Sequence, residues 1–154
     1  MAVMKKSNED TSSALADIFI SRVESRSPQT NPVSPKMFIS MLDQGVSGEV
    51  LRPVIKHIPK GVVVRAVGSD NTNFSKLLRR KRLTGRHTED LNDLTKLWAE
   101  LREFFNWDEE LVKEWISQKL PAFEGATPSE FMASHEGREI IREHLEAMRY
   151  GDFA

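Results

Sequence analysis

The stretch from Leu91 to Phe105 constrains the fold more than any other. Leu91, Leu94, Leu97, Trp98, Leu101, Phe104 and Phe105 recur at intervals of three and four, the period of a helix with one broad apolar face. A stripe this wide is not stable in water, so the neighbouring segments must bring apolar faces to cover it. Thr88 reads as the cap of this helix, with Glu89 and Asp90 set against the positive end of its dipole, and Asn106-Trp107-Asp108 reads as its end.

The flanking segments also punctuate as helices. Ser34 caps a run with Pro35 in first position, Met37, Phe38, Met41 and Leu42 on one face, and Gly45 as stop. Ser47 starts another through Val50, Leu51, Val54, Ile55 and Ile58, which Pro53 kinks or delays. Pro59 opens a third that Gly68 closes. Its Val62-Val63-Val64 run also suits a strand, but no second strand-like run exists to pair with it, so a helix is expected. Downstream, Asp108 caps a helix carrying Leu111, Val112, Trp115 and Ile116. Thr127-Pro128-Ser129-Glu130 is a capping box, and Ser134 caps a last helix whose apolar positions Ile140, Ile141, Leu145 and Met148 end at Gly151. The fold class is therefore all-α, without internal repeats.

Residues 1–33 are rich in Ser, Asn, Thr and Pro. The cluster Leu15, Ile18, Phe19 and Val23 admits one short helix, but Pro28 and Pro32 enforce an extended link, and the expectation is a mobile arm. The organisation read from the sequence is an arm over 1–33, a helical domain over 34–106, and a second helical domain over 107–154.

Charge separates the two halves. Residues 51–90 hold ten Lys/Arg against three acids, a balance of +7, whereas residues 101–154 hold six basic and twelve acidic side chains, a balance of −6. Such a split suits one half that meets a polyanion and one that does not. Within the basic half, the polar cluster Ser69-Asp70-Asn71-Thr72-Asn73 leads into a helix with Phe74, Leu77 and Leu78 on one face and cations on the others. A short helix, a turn containing Gly and a basic helix read as a helix-turn-helix. In that geometry Asn71, Thr72, Asn73 and Lys76 are the candidate base readers, and Arg79, Arg80, Arg82 and Arg86 the candidate phosphate contacts. No acid interrupts residues 71–88. The competing reading is a solvated charged face.

Other function classes find little support. With no cysteine in the chain, disulfides and thiolate metal sites are excluded. There is no Gly-rich phosphate loop and no nucleophile elbow, and His57, His87, His135 and His144 assemble no closing ligand set. The expectation is a non-enzymatic protein with no cofactor and no metal. No apolar run reaches the ~20 residues needed to span a bilayer, and no signal-peptide core is present, so a cytoplasmic location is expected. Trp98, Trp107 and Trp115 read as core or interface anchors. The terminal Met148-Arg149-Tyr150-Gly151-Asp152-Phe153-Ala154 is aromatic-rich, and an end of this kind either docks on its own domain or is offered to a partner.

The C-terminal half carries Trp115-Ile116, Leu120-Pro121, Phe123, Gly125-Ala126-Thr127-Pro128, Phe131-Met132-Ala133, Glu136-Gly137-Arg138, Leu145 and Tyr150-Gly151-Asp152-Phe153-Ala154. In this order and spacing the string resembles the toxin-binding domain of the Xre/MbcA/ParS antitoxins, and the basic helix and long Leu-rich helix ahead of it follow the order of that family's DNA-binding part. The resemblance covers roughly residues 36–154. It implies a type II antitoxin paired with a RES-domain toxin, one that resembles an ADP-ribosyltransferase and consumes NAD or modifies a host enzyme. It further implies a C-terminal tail lying at the toxin's active-site cleft, and an N-terminal part that dimerises and binds its own promoter. Carried onto this chain, Arg149, Tyr150, Gly151, Phe153 and Ala154 form the plug, with Trp115 and Pro121 shaping the domain behind it. The alternative is a stand-alone helix-turn-helix transcription regulator whose C-terminal helices dimerise or sense a ligand.

Overall fold

The structure, a computed structural model, describes residues 2–27 and 34–151, the side chains of 2–10 excepted. These residues form helices α1 (Ala2–Glu24), α2 (Pro35–Gln44), α3 (Leu51–Ile55), α4 (Lys60–Ala66), α5 (Asn71–Leu78), α6 (Gly85–Phe104), α7 (Glu109–Ile116), α8 (Pro128–Phe131) and α9 (His135–Arg149). Short 3₁₀ turns at Gly48–Val50 and Pro121–Phe123 complete the set, and no strand occurs among the described residues. The fold is all-α. No helix among them is long and apolar enough to cross a membrane.

The stripe on α6 is the centre. Leu91, Leu94, Leu97, Trp98 and Leu101 are wholly buried, and α1, α2, α4, α7 and α9 all pack on this one helix. Its cap differs from the sequence expectation. Thr84, not Thr88, accepts the amide of the first turn, from His87 N–H at 3.1 Å. Thr88 lies one turn inside, fully buried, where its hydroxyl donates to the Thr84 carbonyl at 2.8 Å and accepts from Val46 N–H at 3.3 Å. Two threonines four residues apart can both cap; burial assigns the inner one to a tertiary contact instead.

A second correction concerns the N-terminal arm. Leu15, Ile18, Phe19 and Val23 are at most 1% exposed, so this part of α1 is core. Arg22 secures it by donating from one nitrogen to the Asn92 carbonyl (3.0 Å), the Asn92 side chain (2.8 Å) and the Thr95 hydroxyl (3.2 Å) on α6. In return Arg102 of α6 donates to the Arg22 and Ser25 carbonyls, both at 3.0 Å, closing the C-terminal end of α1. Burial pushes the Arg22 guanidinium down to about 10, still charged at neutral pH. Pro28 and Pro32 lie outside the described residues.

Chain punctuation elsewhere follows local chemistry. Ser34, Asp70, Asp108 and Ser134 each accept an amide in the first turn of their helix, and Thr127 and Glu130 complete a reciprocal capping box. Pro53 falls in the first turn of α3, after the 3₁₀ turn, where its missing N–H costs little. The valine run is helical, in α4.

Candidate functional site

Two surfaces hold the residues singled out in the sequence. The first is built on α4, the turn at 67–70 and α5. Gly68 closes α4 at φ +66°, with Ser69 N–H returning to the Val64 carbonyl at 2.9 Å. Asp70 then caps α5, accepting from Asn73 N–H at 2.8 Å and from the Asn73 side-chain amide at 2.9 Å. The Asn73 amide hydrogen bond holds the exposed Asp70 carboxyl below the usual carboxylate range.

Phe74 and Leu77 are buried and pin α5 from beneath. The far end is fixed by Gly48, whose N–H donates to the Arg80 carbonyl at 2.9 Å. A Cβ at Gly48 would stand 1.9 Å from the Leu77 carbonyl oxygen, so only glycine lets the 3₁₀ turn approach so closely.

On this scaffold Asn71, Thr72, Lys76, Arg79, Arg80 and Arg86 are all exposed. None of the last three, nor Lys81, takes part in an ion pair among the described residues. Burial lowers the His87 imidazole below its ordinary range, and the charge of Arg80, with a smaller part from Arg86, lowers it further against the opposing charge of Asp90. Two of the residues named from sequence are held elsewhere. Asn73 spends its amide on the Asp70 cap, and Arg82 donates to the Gln44 and Gly45 carbonyls, both at 3.3 Å, closing the end of α2.

The second surface lies on α7 to α9. It is built on a chain of rings, of which Phe123 is buried and the others are half-buried. Trp115 sits between Phe105 (5.6 Å between centroids) and Phe123 (6.3 Å), stacks on His144 at 6.1 Å and 22°, and Phe123 meets Phe131 edge-on at 4.8 Å. Desolvation among these rings lowers the His144 imidazole below its ordinary value. Pro121 is exposed and starts the 3₁₀ turn, whose loop is tied by Leu120 N–H to the Ala126 carbonyl (3.1 Å) and Gly125 N–H to the Leu120 carbonyl (3.0 Å). Arg149 lies over the Phe104 ring at 6.0 Å, and Tyr150 is 71% exposed at the end of α9, where Gly151 turns the chain at φ +70°. Phe153 and Ala154 lie outside the described residues.

What fixes this surface to the rest of the molecule is a pair of arginines that the sequence leaves unassigned. Arg138 is 1% exposed; its Nε donates to Asp93, Nη1 to the Met132 carbonyl at 2.9 Å and Nη2 to Asp90 at 3.2 Å. Arg142 pairs with Asp93 (2.9 Å), Glu100 (2.9 Å) and Glu139 (2.6 Å). Burial alone would raise the Asp93 carboxyl, but the two guanidiniums outweigh it and hold it below the usual range. The one signal in the sequence is an arginine three residues before Ile141, inside the apolar stripe of α9.

Gly137, beside it, is required for close packing: a Cβ there would sit 1.9 Å from the Phe131 carbonyl oxygen. Asp93, His135 and Glu139 place ligand-type atoms within 4.8 Å of one another. The Arg138 and Arg142 guanidiniums already occupy these carboxylates, so the cluster is an ion-pair network rather than a charge deficit awaiting a cation.

Residues 100–151 match the family model described as the antitoxin Xre/MbcA/ParS C-terminal toxin-binding domain. The matched segment begins in the last turns of α6 and covers α7, α8 and α9, the unit organised by Trp115, Phe123 and Arg138. The match covers the C-terminal third of the chain, and this segment is similar to a toxin-binding domain of antitoxins. A search of curated proteins finds no match.

Proposed function

We propose that the protein is a type II antitoxin that neutralises a RES-type, ADP-ribosyltransferase-like toxin with its C-terminal tail and represses its own operon through the α5 surface. The observation that carries the first part is the family match over 100–151, joined to a helix end that presents Arg149 and a largely exposed Tyr150 just before the tail. Tyr and Phe bring large contact area at few rotors, which suits a segment that gives up entropy on binding. Arg149, Tyr150, Gly151, Phe153 and Ala154 form the plug in this reading, and Trp115 and Pro121 shape the domain that presents it.

The second part rests on Asn71, Thr72, Lys76, Arg79, Arg80 and Arg86, exposed together on or beside α5, the last three outside any ion pair among the described residues. The protein acts as a homodimer in promoter binding and as a hetero-oligomer with toxin. The test is co-expression with the product of the adjacent reading frame. Growth arrest by that product alone, relief by this chain, and co-purification of the two as a complex that retards the promoter fragment are expected. A neighbour that is harmless, or that arrests growth whether or not this chain is present, removes the antitoxin reading.

A further inference from the structure

On the toxin-binding domain, two large aliphatic side chains are exposed outside the ring cluster: Leu111 on α7, 42% exposed, and Ile140 on α9, 37% exposed. Their positions are not independent. Leu111 stands one turn before Trp115, and Ile140 one turn before His144, and the Trp115–His144 stack joins the two helices at 6.1 Å. Ala147, half-buried and three residues past His144, continues the same flank toward the helix end at Gly151. Leu111, Trp115, His144 and Ile140, linked in that series through the stack, make with Ala147 a strip with no formal charge, in a segment otherwise crowded with acids.

The strip has a border of like sign. Glu110 and Glu114 beside it on α7, and Glu136 and Glu143 beside it on α9, are exposed. None of the four is in an ion pair among the described residues. An apolar centre with an unpaired acidic rim is the pattern of an interface whose partner is apolar at its centre and basic at its edge.

We infer that this strip is the anchoring surface for the toxin, a site separate from the tail: the strip supplies most of the affinity, and the tail supplies the inhibition. The inference rests on the toxin-binding reading of residues 100–151, which contain all five strip residues. The strip runs along α9 toward the helix end at Gly151. Apolar anchors at the centre of an interface carry most of its energy, whereas a short terminal segment ordered on binding returns much of its interaction energy as entropy.

The test uses the full chain and the toxin from the adjacent reading frame, with binding measured by titration and inhibition by the toxin's own activity. Leu111→Glu/Ile140→Glu should weaken binding at least about 100-fold while leaving the thermal melt within a few degrees, because both side chains are already exposed. Glu114→Lys/Glu143→Lys, which reverses the rim, should weaken binding less, chiefly through slower association that high salt abolishes. Binding within a factor of two of the parent chain by Leu111→Glu/Ile140→Glu overturns the inference and leaves the antitoxin reading standing. If the double variant instead breaks up a self-association of the free chain with toxin affinity unchanged, the strip belongs to a second copy and the inference is again overturned. Failure of the parent chain to bind the toxin at all would overturn both.

Discussion

Arginine has opposite fates in the two halves of this molecule. On and after α5, Arg79, Arg80 and Arg86 stand exposed without an ion pair to any of the described acids, whereas on α9 Arg138 and Arg142 are bound up with Asp90, Asp93, Glu100 and Glu139. The first set leaves positive charge available to a polyanion. The second neutralises itself and converts charge into a joint between α9 and α6. A count of basic residues treats the two alike; only the acids that each one meets tell them apart. The acidic surplus of the C-terminal half is consequently not spread evenly, since the acids left over after the joint is made include Glu110, Glu114, Glu136 and Glu143, around the apolar strip.

Arg138→Ala leaves Asp90, Asp93 and the Met132 carbonyl without their buried donor, and the expected loss is about 3–5 kcal/mol of stability, read by thermal or chemical unfolding. Because the joint ends on α6, which also carries α1, α2 and α4, the unfolding transition should shift as one, and toxin and DNA binding should weaken together at temperatures near the new midpoint. A C-terminal segment that melts alone, with DNA binding intact, would show that the two halves are independent.

Arg79→Ala/Arg80→Ala should lower promoter affinity roughly 10-fold at moderate salt and reduce the salt dependence by about one counterion for each phosphate no longer neutralised, with the melt and toxin binding unchanged. An unchanged salt slope, followed in a retardation assay over a range of salt concentrations, would place DNA elsewhere. Arg82→Ala is the matched control. Its guanidinium closes α2, so its removal should show in stability before it shows in DNA binding.

Much of this is legible from local chemistry. The caps at Ser34, Asp70, Asp108, Thr127 and Ser134 and the stops at Gly45, Gly68 and Gly151 act within a few residues of themselves, so their sequence signature is nearly complete. The failures share a cause of the opposite kind. Leu15, Ile18, Phe19 and Val23 read as a short patch on an arm because the surface that buries them, around Asn92 and Thr95, is some seventy residues away.

Thr88 and Thr84 are interchangeable until Val46 supplies a donor for the inner one. Asn73 and Arg82 have suitable chemistry for nucleic acid, but each has a nearer acceptor, the Asp70 carboxylate in one case and the open end of α2 in the other. Gly137 and Arg138 stand in the sequence as part of a family string; their physical roles, close approach to the Phe131 carbonyl and a buried clamp, become visible only with α8 and α6 in place.

The most direct test of the central claim, that one chain carries two separable binding surfaces joined through α6, is removal of residues 149–154 followed by paired measurements on the same preparation. Toxin inhibition should be abolished while promoter affinity stays within about twofold of the parent, a difference of less than ~0.5 kcal/mol. A truncated chain that still inhibits the toxin, or that loses promoter binding along with inhibition, would contradict the account.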